Sequence, residues 1–121
     1  MELARIGVNR YFKKSSFGDN ISILLGRHQS QGGSETHTVV VVELEPEQSI
    51  DPHFHKEREE SFYFLEGNGI AIIDEFEISI GAENLIFVRR FERHQIKNSG
   101  AIPLKFLVIT APQWVHEDSF Y

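Results

Sequence analysis

From Thr36 to Thr110 the chain is cut into short apolar runs by turn residues, and no run is long enough for a helix of ordinary length. Thr36 to Leu44 contains Val39-Val40-Val41-Val42, a β-branched run that favours an extended chain. Ser61 to Leu65 ends at Gly67-Asn68-Gly69, and Ile70 to Ile73 turns at Asp74-Glu75 into Phe76 to Ile80. Gly81 to Asn84 leads to Leu85 to Val88. His94 to Lys97 turns at Asn98-Ser99-Gly100, and Leu104 to Thr110 stops at Ala111-Pro112. Ile21 to Leu25 is a further extended segment, and a helix is expected only at the edges, near Val8 to Phe12. Many short strands at a spacing of roughly 8 to 12 residues predict an all-β sandwich or small barrel.

With 121 residues, one domain is expected, with a core over about 36–111, an N-terminal arm over 1–35 and a C-terminal tail over 112–121. The tail holds Trp114, Phe120 and Tyr121, so it is expected to pack on the core or on a second subunit. Absence of cysteine excludes disulfides, thiolate metal sites and a cysteine nucleophile. The formal net charge of -6 argues against a nucleic-acid partner. Short basic clusters occur only at Arg10 to Lys14 and at Arg89, Arg90 and Arg93. No signal peptide or membrane span is visible, which points to a cytoplasmic protein.

The chemistry sits in His53-Phe54-His55-Lys56-Glu57-Arg58-Glu59-Glu60 and in the more distant His94. In an extended chain residues i and i+2 point the same way, so His53 and His55 project together. Glu60 opens the next strand and can face them, and His94 can enter from a third. Three imidazoles and one carboxylate suit one divalent Mn, Fe, Ni, Co or Zn ion and leave coordination positions for a small molecule. Glu59 competes with Glu60 for the carboxylate role.

The offsets resemble those of the cupin superfamily. Its first motif, G-x5-H-x-H-x3,4-E-x6-G, is matched by His53, His55, Glu60 and Gly67, with Glu47 in place of the leading glycine. Its second, G-x5-P-x-G-x2-H-x3-N, is matched at His94 and Asn98, whereas Glu83, Arg89 and Phe91 replace its glycine, proline and glycine. Glu60, not Glu59, keeps the six-residue spacing to Gly67. The resemblance implies a double-stranded β-helix, the jelly-roll barrel of cupins, with His53, His55, Glu60 and His94 as metal ligands and Asn98 in a structural role. It also implies a homodimer.

Within that family the full ligand set and an aromatic pocket point to a dioxygenase acting on a small oxygenated molecule. The alternatives are a sugar or sugar-acid isomerase or lyase, or a metal-dependent binding protein without turnover. No acid or base is evident. Glu59, Glu57 and His37 are the nearest candidates, and one of Arg89, Arg90 and Arg93 is the candidate anchor for a substrate carboxylate; of these, Glu59, Arg89 and Arg93 are the catalytic candidates.

Overall fold

The computed structural model describes residues 15–16, 21–113 and 116–121. The helix expected over residues 8–12, the basic cluster over 10–14 and Trp114 lie outside the described residues. The strands are β1 (Ser15–Ser16), β2 (Ile21–Leu25), β3 (Thr38–Leu44), β4 (Glu59–Glu66), β5 (Asn68–Ile73), β6 (Phe76–Gly81), β7 (Leu85–Val88), β8 (His94–Asn98) and β9 (Leu104–Ala111). Short 3-10 turns occupy Gln29–Gln31 and His116–Asp118. Valine, isoleucine and phenylalanine dominate the strands, because branched and aromatic side chains pack well on a pleated surface.

A six-stranded sheet runs β1-β2-β3-β9-β4-β7, and a three-stranded sheet runs β6-β5-β8. The pairings are antiparallel. Among the described residues neither sheet closes on itself, which corrects the jelly-roll barrel expected from the resemblance: the architecture is two open sheets. The free edge of β8 meets the irregular segment over residues 48–53. Isolated bridges join Ser49 to Lys97 and His53 to His94, and no regular ladder forms. Pro52 stands inside that segment without an N–H to donate, so a continuous strand there is interrupted.

One core fills the space between the sheets. Val42, Leu44, Phe62, Phe64, Val88, Phe106 and Val108 come from the larger sheet, and Ala71, Ile80 and Ile96 come from the smaller. Strand parity decides which side chains enter. On β4, Glu60, Phe62 and Phe64 are buried, and on β8 His94, Ile96 and Asn98 are buried. On β7, Val88 faces in while Leu85 and Phe87 face out. Burying one phenylalanine in such a core contributes roughly 1.5–3 kcal/mol. Gly67 ends β4 at φ 88°, where a Cβ would come within 2.6 Å of the Pro103 carbonyl oxygen, so any side chain there is strained.

Three of the motif departures share one backbone feature. Glu47, Glu83 and Phe91 all have positive φ, at 73°, 71° and 68°. The chain keeps the left-handed conformation that glycine adopts readily at these places, although a side chain is present. A left-handed conformation costs an L-residue roughly 1–2 kcal/mol. Surrounding hydrogen bonds hold it: the amides of Glu47, Glu83 and Phe91 donate to the carbonyls of Asn98, Phe64 and His55.

Candidate metal centre

His53 and His55 lie on the segment leading to β4, Glu60 near the start of β4, and His94 at the start of β8. Antiparallel exchange of amide and carbonyl between His53 and His94 sets the smaller sheet's edge against the histidine segment. Each of the four residues offers a ligand atom, and these atoms lie within 4.8 Å of one another. His55, Glu60 and His94 are buried, and His53 is partly buried.

Each imidazole is oriented by a backbone carbonyl. Nδ1 of His53 meets the Asp51 carbonyl at 2.7 Å, Nδ1 of His55 meets that of Asp118 at 2.7 Å, and Nδ1 of His94 meets that of Glu92 at 3.0 Å. A carbonyl only accepts, so Nδ1 must carry the proton in all three rings. In the neutral rings Nε2 is then left with a lone pair. Such carbonyl partners also orient metal-binding histidines and make them more basic.

The Nε2 atoms of His55 and His94 lie 2.9 Å and 3.1 Å from the same oxygen, Oε1 of Glu60. Nε2 of His55 is buried and has no hydrogen-bond partner among the described residues. The other carboxylate oxygen, Oε2, accepts a hydrogen bond from the Thr110 hydroxyl at 3.0 Å. Lone pairs and a carboxylate converging in a dry place require a proton or a cation between them. The donor set therefore fits one divalent metal ion, of the kinds that accept imidazole and carboxylate.

Burial is the largest influence on Glu60 and pushes its carboxyl up. With the rings protonated, Nε2 of His55 and of His94 donate to the carboxylate and their charges add to this, which outweighs burial and holds the group well below the usual carboxylate range. Burial likewise dominates at His53. It pushes the imidazole down from 6.5 to about 4, against the Asp51 carbonyl, which favours the charged ring. His53 is thus neutral, ready to bind a metal, across the physiological range.

The sign of the pH effect follows. Below 6.5 the unfolded chain takes up a proton on His53 that the folded protein refuses until about 4. Stability contributed by His53 is therefore complete above 6.5 and is lost as pH falls toward 4. Glu60 acts in the same direction, starting lower. We expect the urea midpoint of the metal-free protein to fall between pH 6.5 and pH 4, and His53→Gln to flatten that interval. Parallel curves for the two proteins would contradict it.

A cavity of about 220 Å³ opens beside the cluster. Its wall is mainly apolar, with Ile23, Val40, Val42, Phe62 and Val108, and its polar members include His53, Glu60, Thr110, Ser119 and Tyr121. This volume is below the roughly 300–1,000 Å³ of pockets for drug-sized ligands.

Glu59, Arg89, Arg90 and Arg93 are exposed and do not line the cavity. Parity explains Glu59, which neighbours the inward Glu60 on one strand. The Arg89 guanidinium lies over the Phe87 ring at 5.7 Å. Asn98 donates to the carbonyls of Leu44 and Ile102 and accepts from the Gly100 amide, which closes the turn after β8. Sequence reasoning missed Arg58, Thr110, Asp118, Ser119 and Tyr121 as neighbours of the site. Only the alternation along β9, which puts Thr110 on the face of Val108, carried a signal for any of them.

Comparisons with known proteins agree with this fold. A 34% identical relative is an uncharacterized protein, MJ1618, of Methanocaldococcus jannaschii; the match covers 55% of this chain and 54% of that protein. The tetracenomycin polyketide synthase protein TcmJ of Streptomyces glaucescens is 28% identical, over 59% of this chain and 48% of its own length. The chain thus spans about half the length of the curated relatives it matches. Among solved structures, a cupin protein from Bacteroides fragilis superposes with a TM-score of 0.69 at 25% identity, covering 85% of both chains. A predicted oxalate decarboxylase from Thermotoga maritima gives 0.69 at 23% identity, covering 84% of this chain and 92% of that one. A predicted sugar phosphate isomerase from Acidithiobacillus ferrooxidans gives 0.63 at 24% identity, covering 67% and 53%. The cupin domain model matches residues 40–110, more than half of the sequence and the stretch that holds all four clustered side chains, and the chain belongs to the cupin family.

Proposed function

We propose that this protein is a metal-dependent isomerase or lyase for a small oxygenated carbonyl compound, with His53, His55, Glu60 and His94 holding the ion. When bound, the ion acts as a Lewis acid that polarises the carbonyl oxygen. Aligned rings and a fixed carboxylate hold the donor atoms in place without reorganisation.

The observation that carries the reading is the set of hydroxyls on the cavity wall. The sequence shows no acid or base for such chemistry, but the tertiary structure brings Thr110, Ser119 and Tyr121 to the cavity beside Glu60 and His53. Arg58 donates to the Ser119 oxygen at 3.2 Å. With that oxygen engaged by a cation, the Ser119 hydroxyl hydrogen is free to donate to a substrate oxygen as charge develops there. Thr110 is committed to Glu60 and acts on its orientation. A non-oxidative reaction needs such donors, whereas addition of dioxygen depends on them less. The structural neighbours predicted to be a decarboxylase and an isomerase point the same way, so the isomerase or lyase alternative displaces the dioxygenase.

The test is hydrogen exchange without dioxygen. Metal-loaded protein in deuterated buffer is expected to exchange the C–H next to the carbonyl in hydroxyketones, diketones or 2-keto acids, the proton passing to solvent and a deuteron returning from it, observed by NMR under anaerobic conditions. Ser119→Ala should lower the rate on the order of 10²-fold, the lower range for losing one donor to a developing oxyanion. Dioxygen consumption with no anaerobic exchange would return the assignment to the dioxygenase.

A further inference from the structure

The last residues of the chain are bound to the histidine segment at nearly every step. Phe54 and Phe120 exchange amide–carbonyl hydrogen bonds at 2.9 Å and 3.0 Å, and their rings stack at 5.4 Å. The Lys56 ammonium sits 4.2 Å from the Phe120 ring centroid. The Asp118 carboxylate is buried. It accepts from the Lys56 amide at 2.9 Å and from the Glu57 amide at 3.1 Å, and it lies 3.6 Å from the Arg58 guanidinium. The Asp118 carbonyl, on the same residue, accepts from Nδ1 of His55.

These contacts do two things for the site. Through Asp118, the strap fixes both the tautomer of His55 and the peptide run just after it. Through Tyr121, it covers one side of the cavity: the phenol ring lies 5.7 Å from the His53 ring, tilted by 34°. Tyr121 is 70% exposed, so its ring forms the rim and presents one face inward. The apolar wall, the flat tyrosine rim and a lining that holds no lysine or arginine among the described residues suit a planar, uncharged part of a ligand.

We propose that Asp118 is the positioning residue for the His55 ligand and that Tyr121 is the residue that selects planar ligands at the metal. The proposal rests on the four-ligand site of the preceding subsection and is independent of the reaction performed there.

Co(II) titration followed by absorption tests the first part without any turnover. Asp118→Ala is expected to weaken Co(II) binding about 10–100-fold, the usual cost of losing an outer partner. Asp118→Asn retains one oxygen within reach of both the Lys56 and the Glu57 amide, at 2.9 Å and 3.2 Å in the native side chain, and should stay within about threefold of wild type. The slowly exchanging Nδ1–H resonance of His55 should be present in the Asn variant and absent in the Ala variant. Should Asp118→Ala not fold, Phe120→Ala loosens the same strap without touching a bond to His55 and should weaken Co(II) severalfold. Unchanged Co(II) affinity in whichever of these variants folds overturns the positioning role. Failure of the wild-type protein to bind Co(II) overturns the site itself, a distinct result.

Tyr121 is tested on the Co(II)-loaded protein with two oxygen chelators, planar aromatic tropolone and non-aromatic acetohydroxamate. Tyr121→Ala should weaken tropolone about five- to tenfold, the worth of one aromatic pair, and leave acetohydroxamate unchanged. Tyr121→Phe should retain both affinities. Equal losses for the two chelators, or none, would overturn the selective role.

Discussion

Glu60→Gln is expected to stabilise the metal-free protein and at the same time to abolish its stabilisation by divalent metal. In the wild-type site Nε2 of His55 and of His94 face Oε1 of Glu60 across 2.9 Å and 3.1 Å. Both rings already donate their Nδ1 protons elsewhere. With both rings neutral, acceptors face an acceptor unless a proton or a cation lies between them. A glutamine amide placed there has two N–H groups, one for each ring, and its oxygen keeps the Thr110 hydrogen bond. Relieving unsatisfied buried groups is worth about 1–3 kcal/mol, so the metal-free variant should melt higher than wild type at pH 8 in the presence of a chelator. Metal reverses the ranking. An ion at 100 times its Kd stabilises the wild type by about 2.7 kcal/mol. Loss of a direct carboxylate ligand should lower affinity on the order of 10³-fold, beyond the roughly 10–100-fold of an outer partner, leaving the variant almost no gain. Thermal unfolding of both proteins with and without Zn(II) measures all four quantities. A metal-free Glu60→Gln protein less stable than wild type would show that no such conflict exists in the site.

Glycine at the three left-handed positions should stabilise the fold. Glu47, Glu83 and Phe91 stand where the cupin motifs place glycine, and each has φ near +70°. Relief of roughly 1–2 kcal/mol at each is partly offset by about 0.4–1 kcal/mol of extra freedom in the unfolded chain. The triple variant Glu47→Gly, Glu83→Gly, Phe91→Gly should therefore gain about 2 kcal/mol in total. For a chain of this length that is a rise in Tm on the order of 8 °C. The side chains sacrifice little, since all three are exposed. Calorimetry of the three single variants and the triple variant checks both the size and the additivity. A lower Tm for Phe91→Gly would mean that the exposed ring makes a stabilising contact that outweighs its strain.

The same positions show how far the sequence could be read. Its motifs appear broken at Glu47, Glu83 and Phe91, and from residue types alone the turn before His94 looks rebuilt. The structure shows each of these residues in the left-handed conformation that glycine adopts readily. Backbone hydrogen bonds from elsewhere in the fold, such as the Phe91 amide to the His55 carbonyl, overcome a local preference that any single-residue reading follows. The arginines beside Phe91 drew attention for their nearness in sequence to His94. Their side chains point to solvent, because an exposed turn lies between β7 and β8.

By itself the sequence determined the strands and the clustered side chains. Alternation with a period of two is a local property, and it sends Glu60, Phe62 and Phe64 to one face whatever surrounds them. The offsets of His53, His55 and Glu60 are local as well, and His94 is carried to them by the pairing of short neighbouring segments. Tertiary structure alone decided that the sheets stay open, since closure depends on how the Pro52 segment meets the edge of β8. It alone decided that Asp118, Ser119 and Tyr121 belong to the site. Their partners lie some sixty residues earlier in the chain, and a contact over that distance leaves no periodic trace in either stretch.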